Sequence, residues 1–327
     1  MAAAGVELVG TLSGLEAMGL VEAAGTIPAH LALLRTIVAE LRRRPYAVAV
    51  LVDYPGFHRR VAAAAHRAGV PVLQYVAPQF WAWGAWRLPG YRRVVTHTAA
   101  ILPFEPPFFA AHRVPATFVG HPLLDAPPAD RGAARHGLGI PGDARVLGLF
   151  PGSRGSERAA LWRVMRDAAR RLREDQPTLQ ILVAADTAAA FPDIGTIGGR
   201  TAPAADVAAA VDVAIAKSGT TTLQLALAGT PHLLAYRMHP LTWAVARRLV
   251  RVRRVGLVNL VLDRDVVPEY LQGAVTVPAL AAGAARLLDA ESVPARAQRQ
   301  AFTALAPRLG SPGASARVAE LALGLAA

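Results

Sequence analysis

"RVLGLFPGSRGSE" (Arg145–Glu157) decides the fold. Its first half is apolar without alternation, the pattern of a strand covered on both faces. Pro151 and Gly152 break the run, and Arg158–Glu174 takes up helical spacing. Strands joined by helical crossovers lie parallel. The same grammar repeats outward. "AVAVLV" (Ala47–Val52), "VPVLQYV" (Val70–Val76), "AAIL" (Ala99–Leu102) and "ATFVG" (Ala116–Gly120) read as one set of buried strands. "LQILVAA" (Leu179–Ala185), "VDVAIA" (Val211–Ala216) and "PHLLAY" (Pro231–Tyr236) join Arg145–Phe150 in a second set, with a helix over Thr221–Ala228. Between the sets lies "GHPLLDAPPADRG" (Gly120–Gly132), whose Pro, Asp and Gly content reads as a linker. The expectation is an α/β chain of two Rossmann-like parallel-sheet domains, residues 1–125 and 126–327, facing one another across a cleft.

Composition narrows the chemistry. There is no cysteine, which excludes disulfides, thiolate nucleophiles and cysteine-based metal sites. The nine histidines lack ligand spacing, and Asp263-Arg264-Asp265 reads as a chance D-x-D, so neither a metal nor a cofactor is expected. No uncharged apolar run reaches 18 residues, and "MAAAGVELVG" has no basic leader, so neither a transmembrane helix nor a signal peptide is expected. The formal charge of +12 attracts polyanions. The arginines are scattered and no RNA-binding or zinc-finger motif accompanies them, so an anionic membrane surface is the expected partner and nucleic acid is not. Ile27, Leu31, Leu34, Val38 and Leu41 recur at helical spacing beside Arg35 and Arg42-Arg43-Arg44. Such a stripe either dips into a bilayer interface or faces a core. Met18, Leu20 and Val21 precede it and extend the membrane-side reading.

Three strand ends in the second set look built for phosphate. After the first comes "PGSRGSE" (Pro151–Glu157), where Gly152 permits a tight turn, Ser153 offers a hydroxyl and Arg154 forks onto an anion ahead of a helix. After the next comes "KSGTTTLQ" (Lys217–Gln224), with Ser218, Gly219, Thr220 and Thr221 small or hydroxylated at a helix start. Lys217 is the only lysine among 35 basic residues. After the third comes "RMHPLTWAVARRLV" (Arg237–Val250). Each is individually also a plain cap or turn. Together they point to a nucleoside diphosphate, and the lack of G-x-x-x-x-G-K-[ST] and G-x-G-x-x-G excludes P-loop and dinucleotide readings.

In the first set, "AVAVLVDYPGFH" places Asp53 at a strand end. A carboxylate there is a general-base candidate, its pKa open to burial and nearby arginines, or else a cap for a helix starting near Gly56. "QYVAPQFWAWGAWR" (Gln74–Arg87) holds three of the chain's five tryptophans, Trp81, Trp83 and Trp86. Such rings either meet an amphipathic ligand or pin a loop.

In order along the chain, "MGLVE" (Met18–Glu22), "VDYPGFH", "YVAPQFWAW", "LPFE" (Leu102–Glu105), "FVGHPL" (Phe118–Leu123), "PGSRGSE", "SGTTTLQ", "YRMHPLTWAVARRLV", "VGLVNL" (Val255–Leu260) and "VVPEYLQ" (Val266–Gln272) resemble the lipid-A-disaccharide synthase family, the GT-B glycosyltransferases of family 19. The resemblance covers nearly the whole chain. It implies an inverting transferase of lipopolysaccharide biosynthesis, peripheral on the inner face of the cytoplasmic membrane. It joins UDP-2,3-diacylglucosamine to 2,3-diacylglucosamine-1-phosphate (lipid X), giving a β-1,6 disaccharide and UDP without a required metal. It implies Asp53 as the base. It puts Gly152, Ser153, Arg154, Lys217, Ser218, Gly219, Thr220, Thr221, Gln224, Tyr236, Arg237, Asn259, Glu269 and Gln272 on the UDP-sugar side. Met18, Leu20, Val21, Trp81 and Trp83 fall on the acceptor or membrane side. A homodimer is left open.

The departures are specific. Gln224 stands where the family carries Glu for the ribose hydroxyls, and an amide still donates and accepts there. Gly56 and His58 replace a second Asp and an Asn. The segment between Ala185 and Asp212 is short. By the same resemblance, the chain opens after the place of a strand, a "GExSGD"-like loop and a helix, roughly 30–45 residues or about one βαβ unit. The competing readings are a truncated, catalytically impaired relative that binds UDP-sugar, and another UDP-sugar transferase or epimerase. The latter lack the "YVAPQFWAW" and "VVPEYLQ" pair.

Overall fold

Val146–Phe150 (β5) is buried at every position, and its side chains divide between two cores. Leu147 and Leu149 face one side with Ile181, Val183, Val213 and Ile215, covered by Leu161, Met165 and Leu172 of the helix Gly155–Asp175 and by Leu280 and Leu287 of the helix Val277–Leu288. Val146 and Phe150 face the other, with Leu182, Ala214, Val207 and Leu225. A strand packed on both faces has no polar side to alternate with, which is why the run is continuously apolar.

The computed structural model describes residues 5–10, 20–127, 129–239, 242–244 and 252–327, with the backbone alone for 20–26. Met18 lies outside the described residues, as do the side chains of Leu20 and Val21 and most of the segment after Met238. The chain divides into Met1–Asp125 with Pro312–Ala327, and Ala126–Ser311.

In the first unit, β1 (Ala49–Val52), β2 (Val72–Tyr75), β3 (His97–Ala100) and β4 (Ala116–Phe118) lie parallel in the order β1-β2-β3-β4. β3 begins two residues before the expected run, because polar His97 and Thr98 pair with their neighbours as well as apolar residues would. One face carries Leu51, Val72, Phe57, Tyr91 and Phe109. The other carries Leu73, Ala99 and Val119 under Val318 and Leu321 of the C-terminal helix Ala314–Ala326. In the second unit β5 is joined by β6 (Gln180–Ala184), β7 (Gly199–Ala202), β8 (Val213–Lys217), β9 (His232–Tyr236) and β10 (Glu269–Leu271). All pair parallel, in the order β10-β9-β8-β5-β6-β7. The edge strands β7 and β10 carry no apolar run.

The long helix Leu20–Arg43 splits the expected apolar stripe. Leu34 and Leu41, with Leu33 and Ile37, pack on the first unit's core. Ile27 and Leu31 are exposed. No helix among the described residues is long and apolar enough to cross a membrane.

Sequence order alone would put the last residues with the second sheet. They belong to the first unit because Asp125 captures the start of their helix. Its carboxylate accepts from the backbone N–H groups of Gly313 (2.7 Å), Ala314 (3.0 Å) and Ser315 (3.1 Å) and from the Ser315 hydroxyl (3.0 Å). Those bonds, the Ser315 amide first, hold the Asp125 carboxyl down at about 2. A carboxylate at a helix N-terminus satisfies donors that nothing within the helix can reach. Because the folded pKa lies below the ordinary 3.8, this contribution is present above pH 3.8 and is lost as pH falls through about 2. Asp125→Ala is expected to cost about 1–2 kcal/mol. Limited proteolysis should then release the C-terminal helix before any other segment.

Candidate functional site

The order of the second sheet creates the site. From β5 the chain steps outward through β6 to β7, then crosses back to place β8 on the other side of β5. The helix after β5 packs on one face and the helix after β8 (Thr220–Leu227) on the other. Loops leaving two adjacent parallel strands in opposite directions open a crevice at their carboxyl ends. Pro151–Glu157 and Lys217–Thr220 form its two sides.

The backbone here is specified by small residues. Gly152 has φ +111°, and a Cβ on it would meet Glu157 Cβ at 2.7 Å as well as the Glu157 carboxylate. Arg154 precedes the helix, and Glu157 occupies its first turn. The Glu157 carboxylate takes Lys217 Nζ at 2.8 Å and Arg154 at 3.3 Å. Burial pushes this carboxyl up, but the bond and charge of Lys217, and then Arg154, outweigh it and hold it below its ordinary range. Lys217 Nζ also lies 5.8 Å from the centre of the Tyr236 ring. Burial, and then Glu157, raise the Tyr236 hydroxyl. Two expected phosphate ligands, Arg154 and Lys217, are therefore gathered on one carboxylate that sequence reading did not select. The signal was available: an acidic residue in the first turn of the helix that follows β5, the strand paired with the one that ends in the chain's one lysine.

Neighbouring residues from the expected set form a scaffold. The Ser218 hydroxyl donates to the Val255 carbonyl at 3.2 Å. Asn259 is buried. Its amide accepts from Val266 N and Val267 N and donates to Val267 O and Glu269 Oε1, all within 2.8–2.9 Å. Glu269 also accepts from Val255 N and Gly256 N at 2.9 Å. This network fixes the start of the helix Leu257–Leu262, within "VGLVNL", against β10 alongside β9. Arg237 donates to the Val275 carbonyl at 2.5 Å, Gln272 pairs with the Met238 backbone, and Gln224 is half-buried. Ser153 is exposed, and its carbonyl accepts from Arg158. Thr220 and Thr221 open the helix after β8, behind Gly219. Asp263 and Asp265 are both held by Arg254 at 2.6 Å.

In the first unit Asp53 follows β1 directly, with φ +52°, and Tyr54 has φ +47°. Val76, which follows β2, has φ +60°. Left-handed backbone is costly for residues with a Cβ, above all a β-branched one, and such strain gathers at functional sites. The Asp53 N–H donates to Tyr75 O at 2.8 Å. Its carbonyl receives Gln74 Nε2 at 3.3 Å and meets His58 Nδ1 at 2.7 Å. Asp53 is exposed rather than buried. It does not cap the following helix, which starts at Pro55 behind Tyr54 without a side-chain cap. Burial lowers the His58 imidazole, against the Asp53 carbonyl.

The tryptophan loop divides its work. Trp81 Nε1 donates to Glu105 at 3.1 Å, and the indole stands edge-on to Phe104 at 4.9 Å. Glu105 is 1% exposed and also accepts from Ile101 N and Leu102 N at 3.2 and 3.0 Å. Trp83 and Trp86 stay open, 44% and 62% exposed. Trp81 pins the loop, and the other two present ring surface.

Burial pushes the Glu105 carboxyl up to about 7, although three donors pull against it. The folded value lies above the ordinary 4.5, so its contribution is full below pH 4.5 and lost as pH rises through about 7. Across that window it amounts to about 3 kcal/mol. In Glu105→Gln the amide nitrogen would face the Trp81 N–H. The expected result is a red shift in tryptophan emission and a flattened decline of stability between pH 4.5 and 7, read by denaturant titrations.

A profile of lipid-A-disaccharide synthetase matches residues 1–309. Lipid-A-disaccharide synthase of Geobacter metallireducens is 38% identical, with 99% of this chain and 86% of that protein aligned. The Anaeromyxobacter dehalogenans synthase is 39% identical, over 98% and 86%. Among solved structures, UDP-GlcNAc 2-epimerase from Neisseria meningitidis bound to UDP-GlcNAc has a TM-score of 0.60 at 12% identity, over 94% of this chain and 82% of that one. At such identity the likeness is of fold.

Proposed function

The chain belongs to the lipid-A-disaccharide synthetase family, and from that membership we propose how its two units divide the reaction. The fold is GT-B, and the protein is a glycosyltransferase of lipid A biosynthesis. It transfers diacylglucosamine from UDP-2,3-diacylglucosamine to 2,3-diacylglucosamine-1-phosphate and releases UDP. Neither an impaired nucleotide-binding relative nor an epimerase is favoured by relatives that share this one activity name.

The second unit binds the donor. The observation that supports this is the crevice between β5 and β8, where Arg154 and Lys217 meet within 3.3 Å and 2.8 Å of one carboxylate. A diphosphate arriving there finds two cations already oriented by Glu157, together with the N–H groups of a helix start. Charge developing on the leaving UDP is stabilised by the same groups. The "VGLVNL" turn and Gln224 serve the base and ribose.

The first unit binds the acceptor. Asp53 takes the proton from the acceptor 6-hydroxyl. The freed oxygen attacks the anomeric carbon of the donor sugar, the bond to the UDP phosphate oxygen breaks, and the centre inverts. An exposed carboxylate on a strained turn is free to reach a hydroxyl from solution. The enzyme works at an anionic membrane surface on the inner face of the cytoplasmic membrane. Ile27 and Leu31 enter the interface, and the basic balance draws the protein to it.

Arg154→Ala is expected to weaken UDP binding by about 1.5–3 kcal/mol, the scale of a charged hydrogen bond. Calorimetry with unchanged UDP affinity in the folded variant would remove the donor-site assignment. Asp53→Asn should keep UDP binding and lower turnover at least about a hundredfold. Turnover near that of the parent would make Asp53 structural.

A further inference from the structure

The first unit contains a cavity of about 500 Å³ that neither the donor loops nor Asp53 accounts for. Its walls are the helix Pro55–Arg67 and the segment that follows the tryptophan loop. Arg59, Arg60 and Arg87 line it together with Phe80, Trp86 and Tyr91, and no carboxylate does. Among the described residues, none of the three arginines forms an ion pair. That sets them apart from Arg131, Arg135, Arg154, Arg166 and Arg254, each of which meets an acidic side chain. Three arginines in the lining of one hollow, with no carboxylate among its lining residues, form a site that attracts an anion.

Arg87 is the most constrained of them. Its guanidinium lies 4.7 Å from the Trp83 ring centre and 5.2 Å from that of Phe80. Gly84, with φ +87°, turns the loop so closely that a Cβ there would touch Arg87 Nε at 3.4 Å. Partial burial, and then the charge of Arg59, depress Arg87. An anion bound in the cavity would offset that like-charge effect. Stacking on aromatic faces leaves the guanidinium edge free for a planar or tetrahedral oxyanion.

The apolar half of the wall indicates what else the ligand carries. Phe80 and Tyr91 are buried behind the hollow, whereas Trp86 stands 62% exposed at its edge. A free inorganic anion has no use for that surface, but a sugar face or the first carbons of an acyl chain do. His58 and Gln74 also line the cavity, and both contact the Asp53 carbonyl. The hollow therefore adjoins the backbone of Asp53, the residue assigned as base.

We propose that this cavity holds the phosphomonoester of the acceptor, with Arg87, Arg59 and Arg60 as its cationic wall and Trp86 against the sugar or acyl root. This rests on the acceptor role given to the first unit. Seating the phosphate at one end of the glucosamine ring leaves the hydroxyl at the other end to Asp53. It also gives the enzyme a means of selecting an acceptor that bears an anomeric phosphate.

The test reads binding without turnover. The full chain, in neutral detergent micelles, is titrated with 2,3-diacylglucosamine-1-phosphate and with 2,3-diacylglucosamine. The phosphorylated form should bind at least about tenfold more tightly. Arg87→Ala and, separately, the exposed-helix variant Arg59→Ala should each shrink that preference several-fold while UDP affinity stays unchanged. A parent protein with no preference, variants that keep the full preference, or variants that weaken both acceptors equally would overturn the proposal. So would micelles doped with phosphatidylglycerol that displace the phosphorylated acceptor at equal concentration, since the wall would then read lipid phosphate in general. Failure of UDP to bind the parent protein would count against the donor assignment instead, leaving the acceptor preference to be judged on its own.

Discussion

Parallel pairing is the constraint on which the rest of the structure depends. Every ladder in both sheets is parallel. A parallel strand has to be reached by a crossover, and the crossover helices must cover both faces. Every strand therefore delivers its chemistry at the same edge of its sheet. In the second unit the one reversal of strand order sets β5 beside β8, and so brings a loop ending in Glu157 to one beginning with Lys217. The ion pair is a consequence of topology before it is a matter of side-chain choice.

The two strand-end regions solve different electrostatic problems. The loops proposed to bind the donor give Arg154 and Lys217 one shared carboxylate partner. On that proposal a diphosphate would meet a preformed arrangement and would not have to order flexible side chains. In the first unit order comes from the backbone and from aromatic pinning. Asp53, Tyr54 and Val76 hold left-handed conformations, and Trp81 is locked onto Glu105. Buried Glu105 is tolerated because three donors converge on it.

The central strands were legible in the sequence because burial on both faces leaves an unbroken apolar run, as in Val146–Phe150. The edge strands were not, because Gly199–Ala202 and Glu269–Leu271 are short and half-exposed and need no such run. The return of the last helix was hidden for another reason. Asp125 and Gly313 are 188 positions apart, and nothing local marks one as the cap of the other. In the site, residue types pointed to Arg154 and Lys217, but their shared partner Glu157 depends on which strands are neighbours. Asn259 and Glu269 stood out by motif, and geometry adds that they brace the start of the helix Leu257–Leu262. Of the two readings of the tryptophan loop, pinning holds for Trp81, whereas Trp83 and Trp86 are exposed.

The central claim is that this chain carries donor and acceptor chemistry in one pair of units and joins them. Its most direct measurement is a product analysis by mass spectrometry. The purified chain is incubated with UDP-2,3-diacylglucosamine and 2,3-diacylglucosamine-1-phosphate in mixed micelles, and UDP is counted alongside the lipid products. The expected products are a tetra-acylated disaccharide phosphate with an inverted, β-configured linkage and one UDP for each disaccharide formed. UDP released without disaccharide, or a disaccharide that retains the donor's anomeric configuration, would contradict it.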